Sequence, residues 1–182
     1  MTSLTLFSPA GVVPRAATLR LAARRLQALG FDVLTDNSAL ARHQRFAGDD
    51  DTRLVAVHRV ALAAPSIAMA VRGGYGCTRL LDRLDWPLLA RSVEQGTRWV
   101  GFSDLTVLQL GLLAHSSHES WAGPTALDSF GRSDADGGVD DVTRDCFLEA
   151  MGGELEAVGF RTEAGFDGLD VGGKLWGGNL AM

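Results

Sequence analysis

Short apolar runs alternate along the chain with segments whose apolar residues recur at helical spacing. Four runs have the length of strands, over residues 4–7, 31–34, 66–71 and 99–102. The third run is apolar on both faces, which is typical of a central parallel strand covered by helices on each side. Helical spacing predicts helices over residues 15–29, from the acidic caps at 49–51 to residue 63, over 78–84 and over 105–115. This alternation predicts an α/β fold with a doubly wound, mostly parallel sheet, of the flavodoxin-like or class I glutamine amidotransferase-like kind.

The last third of the chain is less regular. Gly123-Pro124 marks a turn, residues 142–151 have helical spacing, and residues 154–160 alternate as a strand would. Residues 165–173 are rich in glycine, and the apolar final residues have the pattern of a helix that is just beginning. We therefore expect an N-terminal α/β domain over residues 1–165, in a sequence that is incomplete.

Composition narrows the classes of function. A chain of 182 residues with a net charge of −5 and scattered arginines has no basic footprint for nucleic acid. Its apolar runs are far shorter than a membrane span, and the N-terminus is predicted to be a first strand and its turn rather than a signal peptide. Cys77 and Cys146 lack metal-ligand spacing. We expect a cytoplasmic protein with reduced thiols, no metal and no cofactor.

Candidate chemistry lies in two loops that follow buried strands. One is Arg72-Gly73-Gly74-Tyr75-Gly76 and the other is Gly101-Phe102-Ser103-Asp104. Ser103 has two interpretations: an N-cap of the following helix, which the local pattern by itself favours, or a nucleophile on a sharp strand-to-helix corner. In an open parallel sheet both loops face the crevice where ligands bind, and this convergence favours the nucleophile.

The neighbours of Ser103 suggest partners for such a nucleophile. The backbone N–H groups of Gly74 and Asp104 would stabilise an oxyanion. Arg72 would either bind a substrate carboxylate or pair with an acidic residue, and Tyr75 would either wall the pocket or pack. None of the four histidines is a convincing base, since His115 lies about 18 Å along the predicted helix.

Six blocks of residues together resemble one family. In chain order they are Arg45-Phe46-Ala47-Gly48, Ala70-Val71-Arg72-Gly73-Gly74-Tyr75-Gly76, Arg79-Leu80-Leu81 with Asp85-Trp86, Gly101-Phe102-Ser103-Asp104, Gly123-Pro124 and Leu175-Trp176-Gly177-Gly178-Asn179-Leu180. They resemble the LD-carboxypeptidases, also called muramoyltetrapeptide carboxypeptidases.

The resemblance implies a cytoplasmic serine peptidase of peptidoglycan recycling, commonly a homodimer. Such an enzyme removes the terminal D-alanine of the murein tetrapeptide by cutting after the L-centre of diaminopimelate. Ser103 matches the family's nucleophile, whereas the family's catalytic Glu and His belong to a C-terminal domain and have no matching positions here. The resemblance thus implies that residues 166–182 are the start of a linker to that missing domain, and the chain by itself is expected to be inactive.

Two alternatives stay open. The related microcin-immunity peptidases share the nucleophile corner and act on peptidyl or aminoacyl nucleotides. A non-catalytic binding or assembly module would use the same crevice without chemistry at Ser103.

Overall fold

The structure, a computed structural model, describes residues 1–159, 163, 165 and 168–178. Its five strands form one parallel sheet in the order β2-β1-β3-β4-β5. The strands are β1 (Thr2–Phe7), β2 (Phe31–Thr35), β3 (Ile67–Ala70), β4 (Arg98–Gly101) and β5 (Trp121–Ala122). The helices are α1 (Ala16–Ala28), α2 (Asp50–Ala63), α3 (Trp86–Glu94), α4 (Leu105–Ser116) and α5 (Asp141–Gly152). The predicted α/β fold is confirmed.

Both faces of the sheet are buried, because successive side chains of a strand point to opposite faces. Leu6 and Met69 belong to a cluster on the side of α1 and α5. Phe7 and Trp99 belong to a second cluster, on the side of α2, α3 and α4. The Phe7 and Trp99 rings meet edge to face at 5.3 Å, and Trp99 Nε1 donates to Ser92 Oγ at 3.0 Å. This two-sided packing fixes the strand ends from which the site is built.

The strand order reverses direction between β1 and β3. From β1 the chain first moves to β2 on one side, and then crosses to β3 on the other side. The loops that follow β1 and β3 therefore lie at the carboxyl edge of the sheet where the strand order reverses, which is the usual place of the ligand site in such sheets.

Two predictions about local structure are wrong, and one strand was not predicted. Residues 78–84 form two 3-10 turns, Cys77–Arg79 and Leu81–Arg83, instead of one helix, and α3 starts anew with Pro87 in its first turn. Strand β5, two residues long, was not expected. Residues 154–159 form no strand and most are exposed, so their alternation has no sheet to pair with among the described residues, while Phe160 lies outside them.

The helix predicted to begin at the final residues is not observed in the part of the chain that the structure describes. Residues 174–178 have no regular structure, and residues 179–182 lie outside the described part of the chain. None of the helices in the described residues is both long enough and apolar enough to cross a bilayer.

A buried carboxylate ties β2 to α2 beside the crevice. Asp36 follows β2, and its carboxylate accepts from Arg59 Nε at 2.7 Å and from the backbone N–H and hydroxyl of Ser38. Burial raises the pKa of the Asp36 carboxyl, but the hydrogen bonds from Arg59 and Ser38 outweigh it and hold that pKa below its ordinary value. The ionised carboxylate therefore stabilises the folded state.

We predict that Asp36→Asn lowers the free energy of unfolding by about 1.5–3 kcal/mol at pH 7, the usual contribution of hydrogen bonds to a charged group. A lowered folded-state pKa gives stability that is present above the unfolded pKa and lost as the pH falls through the folded one. The difference between variant and wild type should therefore shrink below about pH 4. Urea unfolding at several pH values measures it, with Asp32→Asn on the exposed side of β2 as control; an equal deficit at all pH values would contradict the prediction.

Candidate active site

Three loops meet at the carboxyl edge of the sheet. The loop after β1 contacts the glycine loop after β3, since Gly11 N–H donates to the Gly73 carbonyl at 3.1 Å. The glycine loop in turn lies against the corner after β4: a Cβ atom placed on Gly73 would lie 2.7 Å from both Cβ and Oγ of Ser103. The predicted meeting of the two loops is therefore observed.

Ser103 occupies a strained corner between β4 and α4. Its φ of +61° lies in the left-handed region, which costs a non-glycine residue on the order of 1 kcal/mol or more. The N-cap residue of α4 is Asp104 rather than Ser103, and the Asp104 side chain makes no capping hydrogen bond to the first turn. The geometry therefore departs from an ordinary N-cap and has the form of a nucleophile corner.

Glycine is required at two positions of this loop, one facing the Ser103 corner and one facing the loop after β1. Gly73 leaves room for the Ser103 side chain, as described above. Gly74 has a φ of +111°, and a Cβ there would come within 3.1 Å of Gly11 Cα. Paired glycines thus let the loop backbone approach both Ser103 and the loop after β1.

Asp104 links the corner to the glycine loop through its side chain. The carboxylate is buried, and Oδ2 accepts from the backbone N–H of Cys77 at 2.9 Å. Burial, together with the charge of Asp104, raises the pKa of the Cys77 thiol well above its ordinary value. Cys77 therefore stays a neutral thiol and is unsuited to act as a nucleophile.

Arg72 and Tyr75 lie on either side of the two glycines. Arg72 Nη1 donates to the Val12 carbonyl at 3.2 Å, and its side chain lines a cavity of about 610 Å³ beside α1. Among the described residues Arg72 forms no ion pair with a carboxylate, so the pairing alternative is not observed. Tyr75 is 62% exposed, and the guanidinium of Arg45 lies 5.8 Å from its ring centroid. The rim of the site therefore carries a cation and an open aromatic ring.

A second cavity, of about 690 Å³, opens beside the corner. Phe102 and Thr106 line it from the corner side, Trp121 from β5, and residues 173–178 from the end of the described chain. Residue Lys174 pairs with Glu119 at 3.4 Å. The last described segment thus runs next to the residues that flank Ser103.

The histidines have other surroundings. His58 Nε2 accepts from the Asp85 N–H at 3.0 Å, and His115 stacks on Trp86 with ring centroids 4.7 Å apart. His118 approaches Glu94 at 3.4 Å, and His43 is exposed in a turn that pairs with Phe46. In the part of the chain that the structure describes, no histidine contacts Ser103.

Arg53, which the sequence pattern did not single out, is fully buried and contacts the glycine loop. Its Nη1 donates to the carbonyls of Pro9 and Gly76, and its Nη2 pairs with Asp50. A signal was present, because Arg53 stands four residues before Val57 and seven before Val60, on the buried face of α2.

A family model described as the LD-carboxypeptidase N-terminal domain matches residues 4–123. The chain belongs to this family. A curated relative, the murein tetrapeptide carboxypeptidase of Pseudomonas aeruginosa, is 34% identical over 107 residues, which are 58% of this chain and 34% of the relative.

Solved structures agree with this membership. The muramoyltetrapeptide carboxypeptidase from Oxalobacter formigenes superposes with a TM-score of 0.70 at 34% identity, over 82% of this chain and 47% of that one. The microcin C7 self-immunity protein MccF, in complex with aspartyl sulfamoyl adenosine, gives a TM-score of 0.74 at 20% identity, over 82% and 44%, and this likeness shows the fold alone. This chain thus spans about a third of the length of the curated relative and about half of the length of the first solved structure.

We predict that Gly73→Ala lowers the rate at which a fluorophosphonate labels Ser103 by about 100-fold, because the added methyl group must displace the Ser103 side chain. The φ of Gly73 is not in the left-handed region, so the effect is steric. The control is Gly159→Ala, because a Cβ at that position meets nothing within 4 Å. Both variants are made in the protein expressed from its complete reading frame, and their labelling rates are compared. Equal labelling of the two variants would show that the close contact is not needed.

Proposed function

We propose that this chain is the nucleophile-bearing domain of a serine carboxypeptidase that releases the terminal D-alanine of murein tetrapeptide during peptidoglycan recycling in the cytoplasm. The observation that carries the proposal is Ser103, held in a left-handed corner against Gly73. The family membership and the murein tetrapeptide carboxypeptidase among its relatives support the choice of substrate.

In the proposed reaction Ser103 Oγ attacks the carbonyl that joins diaminopimelate to D-alanine. A base takes the hydroxyl proton and passes it to the amine of D-alanine as the C–N bond breaks, which leaves an acyl-enzyme. Water then hydrolyses the ester and restores the serine. The N–H groups of Gly74 and Asp104 are proposed to stabilise the oxyanion, since both belong to the two segments that meet at Ser103.

The proposed base and its orienting group are a His and a Glu of the C-terminal domain that LD-carboxypeptidases carry. The surroundings of the histidines support this assignment, because His58, His115 and His118 contact other residues and not Ser103. Residues 1–182 by themselves are therefore expected to give little turnover, as when triad members are removed from other hydrolases.

Arg72 and Tyr75 are proposed to contact the peptide. The guanidinium of Arg72 has no described carboxylate partner, which suits it to a substrate carboxylate, and Tyr75 offers an exposed ring at the rim.

The proposed domain boundary near residue 165 is consistent with the end of α5 at Gly152 and the exposed residues after it. A homodimer is proposed for the full-length protein from the family alone.

We predict that Ser103→Ala abolishes D-alanine release by the protein expressed from its complete reading frame, because the attacking oxygen is gone. Mass spectrometry of tetrapeptide, tripeptide and D-alanine measures the reaction. Ser116→Ala removes a hydroxyl from the far end of α4, where it bonds the Leu112 carbonyl, and should keep full activity.

Three outcomes would contradict the proposal. Undiminished release by Ser103→Ala would remove Ser103 from the mechanism. Hydrolysis of an aminoacyl nucleotide without any release of D-alanine would instead favour the microcin-immunity type of activity. Absence of both reactions, with no labelling of Ser103 by a fluorophosphonate, would favour a binding module.

A further inference from the structure

Arg53 combines complete burial with three partners around the glycine loop. Its side chain is 0% exposed, Nη1 donates to the Pro9 carbonyl at 2.8 Å and to the Gly76 carbonyl at 2.9 Å, and Nη2 pairs with Asp50. The guanidinium also lies 4.7 Å from the centroid of the Phe46 ring. One side chain of α2 therefore joins the loop after β1 to the loop after β3.

The peptide group between Gly76 and Cys77 is held from both ends. Its carbonyl accepts from the cationic Arg53, and its N–H donates to the anionic Asp104 at 2.9 Å. A cation at the carbonyl and a carboxylate at the N–H both favour the same orientation of the peptide dipole, so reversing this peptide would oppose both charges. Asp104 directly follows Ser103, which connects the held peptide to the corner.

We propose that Arg53 is a positioning residue, which holds the glycine loop through the Gly76–Cys77 peptide and Asp104 so that Gly74 N–H faces the oxyanion. This role rests on the proposed function. It acts in the transition state, because an oxyanion donor counts only where negative charge develops. Arg53 does not touch the substrate in this proposal.

The burial of Arg53 argues for a role beyond stability. A buried ionic group is costly to desolvate, and apolar replacements of similar volume are often as stable. Nε of Arg53 has no hydrogen-bond partner among the described residues, so even this network leaves one donor unsatisfied. What the guanidinium supplies and an apolar side chain cannot is a pair of directed hydrogen bonds to two loops.

The test uses Arg53→Met, which keeps much of the volume and removes both hydrogen bonds, and Arg53→Lys, whose ammonium can still donate to carbonyls. The matched control is Arg59→Met, on the same helix, which breaks the ion pair with Asp36 and touches neither loop. All are made in the protein expressed from its complete reading frame. Fluorophosphonate titration counts the active sites, so that kcat refers to folded enzyme only.

Arg53→Met should lower kcat for D-alanine release by about 10- to 100-fold with KM nearly unchanged, as expected for a misplaced transition-state donor. Arg53→Lys should recover part of the loss, and Arg59→Met should keep the wild-type kcat. A residue with only a structural role would reduce the number of active sites and leave kcat per site unchanged, and that result would overturn the proposal. If Arg53→Met fails to fold, Arg53→Gln takes its place, because its shorter side chain cannot reach the Pro9 and Gly76 carbonyls together, and a wild-type kcat in that variant would overturn the proposal as well.

Amide hydrogen exchange measures how firmly the loop is held, independently of catalytic activity. The Cys77 N–H should exchange at least tenfold faster in Arg53→Met than in wild type, whereas Arg59→Met should leave it unchanged. If the wild type releases no D-alanine, the proposed function fails, while faster exchange in Arg53→Met would still support the holding of the loop. Unchanged exchange at Cys77 would overturn that holding whatever the enzyme does.

Discussion

The contact between Gly73 and Ser103 is the constraint on which the rest of the site depends. Because Gly73 has no Cβ, the loop after β3 can approach the corner after β4 so closely that an added Cβ would lie 2.7 Å from the Ser103 side chain. This approach requires neighbouring parallel strands that end at the same edge, which β3 and β4 provide. It also requires Ser103 in a left-handed conformation, whose cost the packing of β4 and α4 must offset.

Much of this arrangement could be predicted from the sequence, because periodicity and caps are local signals. The run before Arg72 is apolar on both faces and became the central strand β3, buried at every position. Asp49 precedes α2 and accepts from Thr52 N–H, as its place before the helix predicts. Strands and helices in alternation then imply a parallel sheet, and a parallel sheet implies that Gly73 and Ser103 lie at one edge.

The features that were missed depend on contacts distant in sequence. Strand β5 has two residues, and only its pairing with Val100 and Gly101 makes it a strand. The turn that begins at Cys77 is tied to the corner by Asp104, twenty-seven positions later, which no local propensity reveals. Residues 154–159 show the opposite case, since their alternation suits a strand but the described sheet offers them no neighbour.

The structure also separates two tasks that a serine hydrolase must perform. The corner, the paired glycines and the buried charges of Arg53 and Asp104 belong to the loops at one edge of the sheet and to the helix α2 packed beside them, so they can be organised without any other domain. Proton transfer is different, because the described histidines do not contact Ser103. In the proposed mechanism the second domain therefore supplies the base to a nucleophile and oxyanion site that are already in place. Electrostatic stabilisation depends on such prior organisation, since groups that must reorient during the reaction lose much of their advantage.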